Sequence, residues 1–293
     1  MYRNDRTVSK AMARKLGWAL AAAVFVTATA ASAQEQTATP PAGSQPATTQ
    51  PPAAQAQPWQ RPAPPIVYLP DQPQLEPRAV EILKAMSEKL ASAKRLSFTS
   101  VATYESPART GQPLAYLVKS EIALERPDKL RVITPGDGPA SEFYYDGKTV
   151  MAFTPSVNLV AVAEAPPTID EMLRAAYDFA AIYFPFTDVI VADPWADLSP
   201  RLKLAFVVGQ SIVLDDTRTD IVAIADDNAQ AQIWVGAEDH LPRMIRATFF
   251  NEPGNFRHAV VLSHWQIDPR FPPGTFTSEQ AVKAQRIPFA PPG

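Results

Sequence analysis

Three histidines and two pairs of adjacent aspartates are the first candidates in this 293-residue chain for binding a metal ion or transferring protons. His258 and His264 fall six residues apart on one predicted strand, which places them on the same face but about 20 Å apart along it. One ion cannot join side chains at that separation, because metal–ligand bonds are only about 2 Å long. His240 falls in a predicted solvent-exposed turn. The sequence therefore predicts no metal site and no cofactor.

The aspartate pairs and the remaining motifs do not indicate catalysis. Asp215-Asp216 and Asp226-Asp227 fall at the ends of predicted strands, where aspartate commonly serves turns. Gly209-Gln210-Ser211 lacks the second glycine of a nucleophile elbow, and no phosphate-binding loop, G-x-G-x-x-G or H-E-x-x-H pattern occurs. The chain has no cysteine, which excludes thiol nucleophiles and disulfides. We predict that the protein is not an enzyme; a hydrolase, the alternative, would require two titratable groups in contact inside a cleft.

The charge balance argues against a nucleic-acid partner. The whole chain carries a formal net charge of −3, but residues 1–33 contribute five cations and one acid. The remainder has 22 basic and 29 acidic side chains, so its net charge is near −7. A chain that acidic repels a phosphate backbone.

The first 33 residues have the pattern of a cleavable signal peptide. Residues 1–15 are basic, residues 16–31 form an uncharged apolar run, and Ala31-Ser32-Ala33 supplies the small residues that a signal peptidase requires. The alternative is an uncleaved membrane anchor, although the run is short for crossing a bilayer. The sequence thus predicts export to the periplasm and a mature chain that begins at Gln34, without a stable membrane span after cleavage. A lipid anchor on an N-terminal cysteine is excluded.

The chain after the predicted cleavage site divides into a linker and one folded domain. Residues 34–74 are rich in Pro, Gln, Ala and Thr, a composition that cannot bury a core, so we predict a disordered tether. Residues 75–289 have an ordinary globular composition and are long enough to fold without disulfides. Trp59 and residues 66–69 are candidates for docking the end of the tether onto this domain.

The domain alternates helices with groups of short strands. Pro77 opens a predicted helix whose apolar residues share one face. A second helix begins at Thr168-Ile169-Asp170-Glu171, a capping box, and continues to Tyr183. Predicted strands cover residues 96–104, 114–125, 130–134, 142–145, 149–154, 157–163, 202–208, 211–214, 221–225, 230–235, 244–250 and 258–266. Asp146-Gly147 is a typical hairpin turn. This order predicts an antiparallel α+β fold in which about eleven strands curl around two helices.

Several motifs resemble a known superfamily. Residues 124–132, with Arg126-Pro127, and the stretch Tyr144-Tyr145-Asp146-Gly147-Lys148-Thr149 resemble the LolA/LolB-like periplasmic lipoprotein carriers. The elements Thr168-Ile169-Asp170-Glu171, Asp193-Pro194, Leu241-Pro242-Arg243, Asn251-Glu252-Pro253-Gly254, Ser263-x-Trp265 and Phe276-Thr277 resemble an exported family of unknown function within that superfamily. The resemblance covers residues 75–288.

The resemblance implies an unclosed antiparallel β-barrel with helices covering the concave face, which encloses a hydrophobic cavity. It also implies that Arg126 bonds to the lid, and we expect the acceptors among the carbonyls of residues 172–183. Met172, Leu173 and Tyr183 are the other candidates for contact with the lid or a ligand. The alternative for Arg126 is an ordinary surface pair with Asp128 or Glu125.

Besides catalysis, two functions remain open. The first is the binding or carriage of a lipid or acyl chain; the alternative is an envelope sensor or protein-interaction module. A cavity of several hundred cubic ångströms would favour the ligand. A packed core with a large exposed apolar patch would favour a protein partner.

Overall fold

The structure, a computed structural model, describes residues 72–136, 140–180, 182–250 and 255–289. The predicted signal peptide and most of the predicted linker, including Trp59 and residues 66–69, lie outside the described residues. The strands are β1 (Gln74–Leu75), β2 (Arg95–Pro107), β3 (Pro113–Glu125), β4 (Lys129–Gly136), β5 (Ser141–Tyr145), β6 (Thr149–Thr154), β7 (Leu159–Glu164), β8 (Leu204–Ser211), β9 (Thr219–Ala225), β10 (Ala229–Gly236), β11 (Pro242–Phe249), β12 (Arg257–Ile267) and β13 (Gln285–Ile287). The helices are α1 (Pro77–Ser92), α2 (Ile169–Ala180), α3 (Thr187–Ile190), α4 (Pro194–Leu198) and α5 (Glu279–Lys283).

All thirteen described strands form one sheet in the order β1-β8-β9-β10-β11-β12-β2-β3-β4-β5-β6-β7-β13. The sheet is not closed, since β1 and β13 are its two ends, and this confirms the predicted α+β half-barrel. The strand count exceeds the prediction because β1 and β13 are too short to show a hydrophobic period. Both pair in parallel, β1 with β8 and β13 with β7, so the sheet is mixed rather than wholly antiparallel. Residues 212–214 do not form the separate strand predicted at 211–214.

Helices α1 to α4 cover one face of the sheet and bury one large core against it. The stripe of α1 is fully confirmed, because all of its predicted apolar positions are buried: Ala79, Ile82, Leu83, Met86, Leu90 and the following Ala93. The helix contacts β8 and β9. At the other end of the sheet, α5 packs on the opposite face, where Ala281 contacts Phe153 and Val160.

The sequence motifs for a turn and a helix cap predicted the local structure correctly. Oδ1 of Asp146 accepts hydrogen bonds from the backbone N–H groups of Lys148 and Thr149 at 3.0 and 2.8 Å. Gly147 follows with a φ of +91°, a backbone conformation that glycine adopts at little cost. The hydroxyl of Thr168 accepts a hydrogen bond from the backbone N–H of Glu171 at 3.3 Å, as the capping box predicts.

Residues 182–201, which we call the lid segment, connect α2 to β8. They contain α3, α4 and a 3₁₀ turn at Ser199–Arg201, and contribute buried Phe186, Val189 and Ile190 to the core. The α2 helix ends at Ala180, three residues before Tyr183, the last residue predicted for it.

Candidate functional site

Arg126 joins the sheet to the lid segment. It follows β3, and its Nη1 donates a hydrogen bond to the backbone carbonyl of Ile190 at 2.9 Å. Pro127, the next residue, accepts a hydrogen bond through its carbonyl from the N–H of Ile169 at 2.8 Å. The short link between β3 and β4 therefore holds the beginning of α2 and the end of α3 together.

The guanidinium of Arg126 is buried and only partly bonded. Among the described residues, its Nε and Nη2 atoms have no hydrogen-bond partner. Burial lowers the pKa of Arg126, and the nearby carboxylate of Asp170 opposes that shift. The same carboxylate accepts a hydrogen bond from the backbone N–H of Ala192 at 3.1 Å. Because buried polar groups without partners cost free energy, the closed lid is less stable than a fully paired arginine would make it.

The structure corrects the predicted partners of Arg126. Its acceptor lies in α3 and not among residues 172–183, because α2 ends early and the chain turns back over the core. The alternative surface pair with Asp128 or Glu125 is also wrong, since both carboxylates face Lys129, at 3.9 and 3.0 Å.

The other three predicted site residues lie in or beside the core. Met172 and Leu173 are buried on the inner side of α2. Tyr183 is half-buried in the lid segment, and burial raises its pKa. Contact of these three residues with a ligand stays a prediction.

An aromatic plug, which we did not predict, anchors the lid segment. The rings of Phe184 and Phe186 stack with their centroids 5.4 Å apart. Phe186 meets Phe98 of β2 edge to face at 5.7 Å, and Phe184 meets Phe143 of β5 in the same way at 5.2 Å. The two phenylalanines flanking Pro185 were a visible signal, but nothing local to them indicates which strands they contact.

Two cavities that involve the lid segment are small. A cavity between α1, α4 and the sheet has a volume of about 30 Å³, and it is lined by apolar side chains such as Met86, Trp195 and Ile233. A second cavity, beside Leu202 and Ala229, measures about 10 Å³. These volumes have room for a water molecule or two, whereas pockets for small organic ligands measure about 300–1,000 Å³.

Three charged side chains line part of the larger cavity. Asp188, on α3, lines it together with Asp197 and Arg201. Burial raises the pKa of Asp188 to about 6; the guanidinium of Arg201 opposes that shift and the carboxylate of Asp197 adds to it. Arg201 itself pairs with Asp197 at 3.2 Å and with Asp226 at 3.4 Å.

In contrast to these small cavities, an apolar surface is exposed along β8 and the residues that follow it. Its four members, which we call the β8 patch, are Phe206, Val208, Ile212 and Val213, with exposed fractions of 41%, 47%, 65% and 85%. Their neighbours Ala205 and Val207 contact the core, so alternation along the strand turns Phe206 outward.

The prediction that His258 and His264 share one face is wrong. The pairing of β12 with β2 shifts between Ser263 and Gln266, and His264 has a φ of +55° there. This irregularity brings Trp265 onto the core side, where it stacks on Phe98 at 4.3 Å, and leaves His264 exposed. His258, by contrast, contacts the ring of Phe249, so the two histidines do not share a face.

The aspartate pairs serve turns, as predicted. Asp215 and Asp216 both have φ near +50°, and Oδ1 of Asp226 accepts hydrogen bonds from two following backbone N–H groups. Within the described ranges, no group of three or more His, Asp or Glu side chains could hold a metal ion. Nor does any described helix have the length and apolarity needed to cross a membrane.

Solved structures similar to this chain share little sequence with it. A LolA superfamily protein from Nitrosomonas europaea is 10% identical, covering 69% of this chain and 98% of its own, with a TM-score of 0.35. An uncharacterized conserved protein from Thermus thermophilus is 13% identical, covering 72% and 98%, with a TM-score of 0.37. In the Pseudomonas aeruginosa MucA/MucB complex the match is 13% identical, covering 70% of this chain and 62% of that one, with a TM-score of 0.40.

No curated protein matches the chain. Residues 79–290, nearly the whole of the predicted domain, match a family whose description is "Predicted periplasmic protein (DUF2092)". The motifs Thr168-Ile169-Asp170-Glu171, Asp193-Pro194 and Leu241-Pro242-Arg243 had indicated an exported family of unknown function. The chain belongs to this predicted periplasmic family, DUF2092.

Proposed function

We propose that the domain binds another protein of the cell envelope through the β8 patch. The contrast between these small cavities and an exposed apolar surface supports the proposal. The larger cavity, about 30 Å³, cannot hold an acyl chain without movement of the lid segment. Phe206 and Val213, in contrast, expose 41% and 85% of their surface and need no rearrangement to be buried by a partner.

A cross-linking experiment tests this proposal in the cells that make the protein. A photoactivatable benzophenone side chain replaces Phe206, or Ile287 as the control, because Ile287 is an apolar strand residue at the other end of the sheet with the same exposed fraction of 41%. We expect one protein to be cross-linked from position 206 and not from position 287. Adducts to lipid, or no adduct specific to position 206, would overturn the proposal.

A second function, the binding of a hydrophobic ligand, is favoured by the bond between Arg126 and Ile190. This hydrogen bond from the guanidinium of Arg126 helps to hold α3 over an apolar core. The other two guanidinium nitrogens of Arg126 have no hydrogen-bond partner among the described residues. Opening the lid segment would expose Phe184 and Phe186 together with the side chains beneath them. A fluorescent fatty-acid analogue tests this function: saturable binding to the wild-type protein, tightened when Arg126 is replaced, would support it. Failure of both proteins to bind would exclude it.

A further inference from the structure

The two ends of the sheet differ in how they are protected. Native proteins protect edge strands by making them short, or by placing a charge or a proline on them. The β13 edge meets these conditions, since it has three residues with Arg286 in the middle and Pro288 directly after it. The β8 strand has eight residues, Leu-Ala-Phe-Val-Val-Gly-Gln-Ser, with neither a charge nor a proline.

The outer edge of β8 already accepts a strand along part of its length. β1 pairs in parallel with Leu204 and Ala205 only. The carboxylate of Glu76 then accepts a hydrogen bond from the backbone N–H of Val207 at 2.8 Å. It takes the position that a backbone carbonyl of a neighbouring strand would occupy. From Val208 to Ser211, none of the strands in the described part of the chain lies on that side of β8.

The bulge in β8 does not close this edge. The pairing with β9 shifts between Val207 and Gly209, which makes Val208 the extra residue. Bulges can deflect a second strand, but they also occur beside binding sites, where they redirect a side chain. Here the redirected side chain is that of Val208, an exposed member of the β8 patch, and the residues after it carry no protecting charge.

Acidic side chains border the open edge. Glu76 lies at its beginning, and Asp215 and Asp216 form the turn that follows β8. Two nearby arginines pair elsewhere, Arg78 with Glu81 and Asp220, and Arg218 with Glu238. Among the described residues, none of the three bordering carboxylates has an ion-pair partner, so the electrostatic potential at the edge favours a cationic occupant.

We infer that an extended segment of the partner protein, flanked by lysine or arginine, adds a strand to β8 from Val208 to Ser211. Backbone hydrogen bonds to the edge provide the pairing, and the β8 patch receives the apolar side chains of the added strand. The cationic flanks lie near Glu76 and the Asp215-Asp216 turn. This inference rests on the proposed function and names the form and charge of the partner.

Synthetic peptides test the inference on the full exported protein. The probe is a ten-residue peptide with alternating Val and Thr between two lysines at each end. Two further peptides keep every side chain but carry backbone N-methyl groups on alternate residues. In one of them the methyl groups block the N–H groups along one edge of the peptide strand, and in the other they block those along the opposite edge. Strand addition predicts that one methylated peptide binds about tenfold more weakly, because two hydrogen bonds are lost, while the other binds as the parent does. Amide exchange at Gly209–Ser211 should slow on binding of the parent peptide.

The remaining measurements separate this inference from the proposed function. A glutamate-flanked peptide should bind about tenfold more weakly than the lysine-flanked one at low salt. The double variant Phe206→Ser, Val208→Ser should bind the parent peptide more weakly than the wild type does, whereas Ile287→Ser should bind it equally well. Equal affinity of both methylated peptides, with a loss in the double variant, would overturn strand addition and leave the β8 patch as the binding surface. If replacing Ile66 and Val67 by serine in the full chain tightened peptide binding, the chain's own upstream segment would be the occupant and the inference would be wrong.

Discussion

Arg126 and Ile190, 64 residues apart in the sequence, are joined by a hydrogen bond of 2.9 Å from the guanidinium to the carbonyl oxygen. This bond ties the end of β3 to α3. With the bond from Ile169 to Pro127, it makes the β3–β4 link the place where the sheet holds both α2 and α3.

Replacing Arg126 by leucine should loosen the lid segment more than the sheet. The variant loses the bond to Ile190 but also removes an incompletely paired buried cation, so we expect a change in global stability of only about 1 kcal/mol. Amide exchange in residues 187–192 should become about tenfold faster, which corresponds to the loss of one net hydrogen bond. Mass-spectrometric hydrogen exchange measures both regions. Arg109→Leu, an exposed change in the β2–β3 loop, is the control, and equal exchange in the two variants would show that Arg126 does not restrain the lid segment.

The aromatic plug should account for much of the stability of the lid segment. Phe186 is buried against Phe98 and Phe184, and its replacement by alanine should lower the free energy of unfolding by about 3–5 kcal/mol. Phe179, near the end of α2, is 78% exposed, so Phe179→Ala should change that free energy by about 0.5 kcal/mol or less. Urea denaturation compares the two. A small effect of Phe186→Ala would mean that the lid segment does not contribute to the cooperative core.

Asp188 should make stability fall as the pH rises from about 4 to about 6. Burial raises its pKa to about 6 in the folded protein, against 3.8 ordinarily, so the folded state retains the proton over a range in which the unfolded chain has released it. Below that range both states are protonated and the penalty vanishes; above it the penalty is constant, at most about 3 kcal/mol. Burial also lowers the pKa of His258, so the test is a comparison with Asp188→Asn. Denaturation midpoints of the two proteins should diverge as the pH rises from 4 to 6; parallel midpoints would contradict the assignment to Asp188.

A side chain at Gly147 should destabilise the domain. The φ of +91° at Gly147 is unfavourable for other residues, and a Cβ atom there would lie 2.6 Å from Oδ2 of Asp128. Gly147→Ala should therefore destabilise the domain by about 1–3 kcal/mol, as expected for strained backbone positions. Thermal unfolding measures this, with Gly111→Ala as a control for positive φ in open space. Equal losses in both variants would assign the effect to the backbone alone.

The sequence predicted those features that a short window of residues determines. The apolar stripe of α1, the Asp146-Gly147 turn and the Thr168 cap were all correct, because each depends on residues within a few positions. The hydrogen-bond acceptor of Arg126 and the packing partners of Phe184 and Phe186 were not predicted, because they depend on contacts between residues that lie tens of positions apart. The irregularity at His264 was not predicted, because a strict alternation of inward and outward residues does not allow for an extra residue. The parallel strands β1 and β13 were not predicted either, because two or three residues are too few to show a hydrophobic period. The β8 patch was readable as an apolar run, but only the folded structure shows that its side chains remain exposed.

The central claim, that the β8 patch binds a partner protein, is tested most directly by one affinity measurement. The protein cross-linked from position 206 is purified, and its periplasmic part is titrated by calorimetry into the wild-type chain, into Phe206→Ser, Val208→Ser and into Ile287→Ser. We expect the double variant to bind at least about tenfold more weakly, since burying two apolar side chains contributes more than about 1.4 kcal/mol. We expect the Ile287→Ser variant to bind as the wild type does. Equal affinities of all three proteins would contradict the claim.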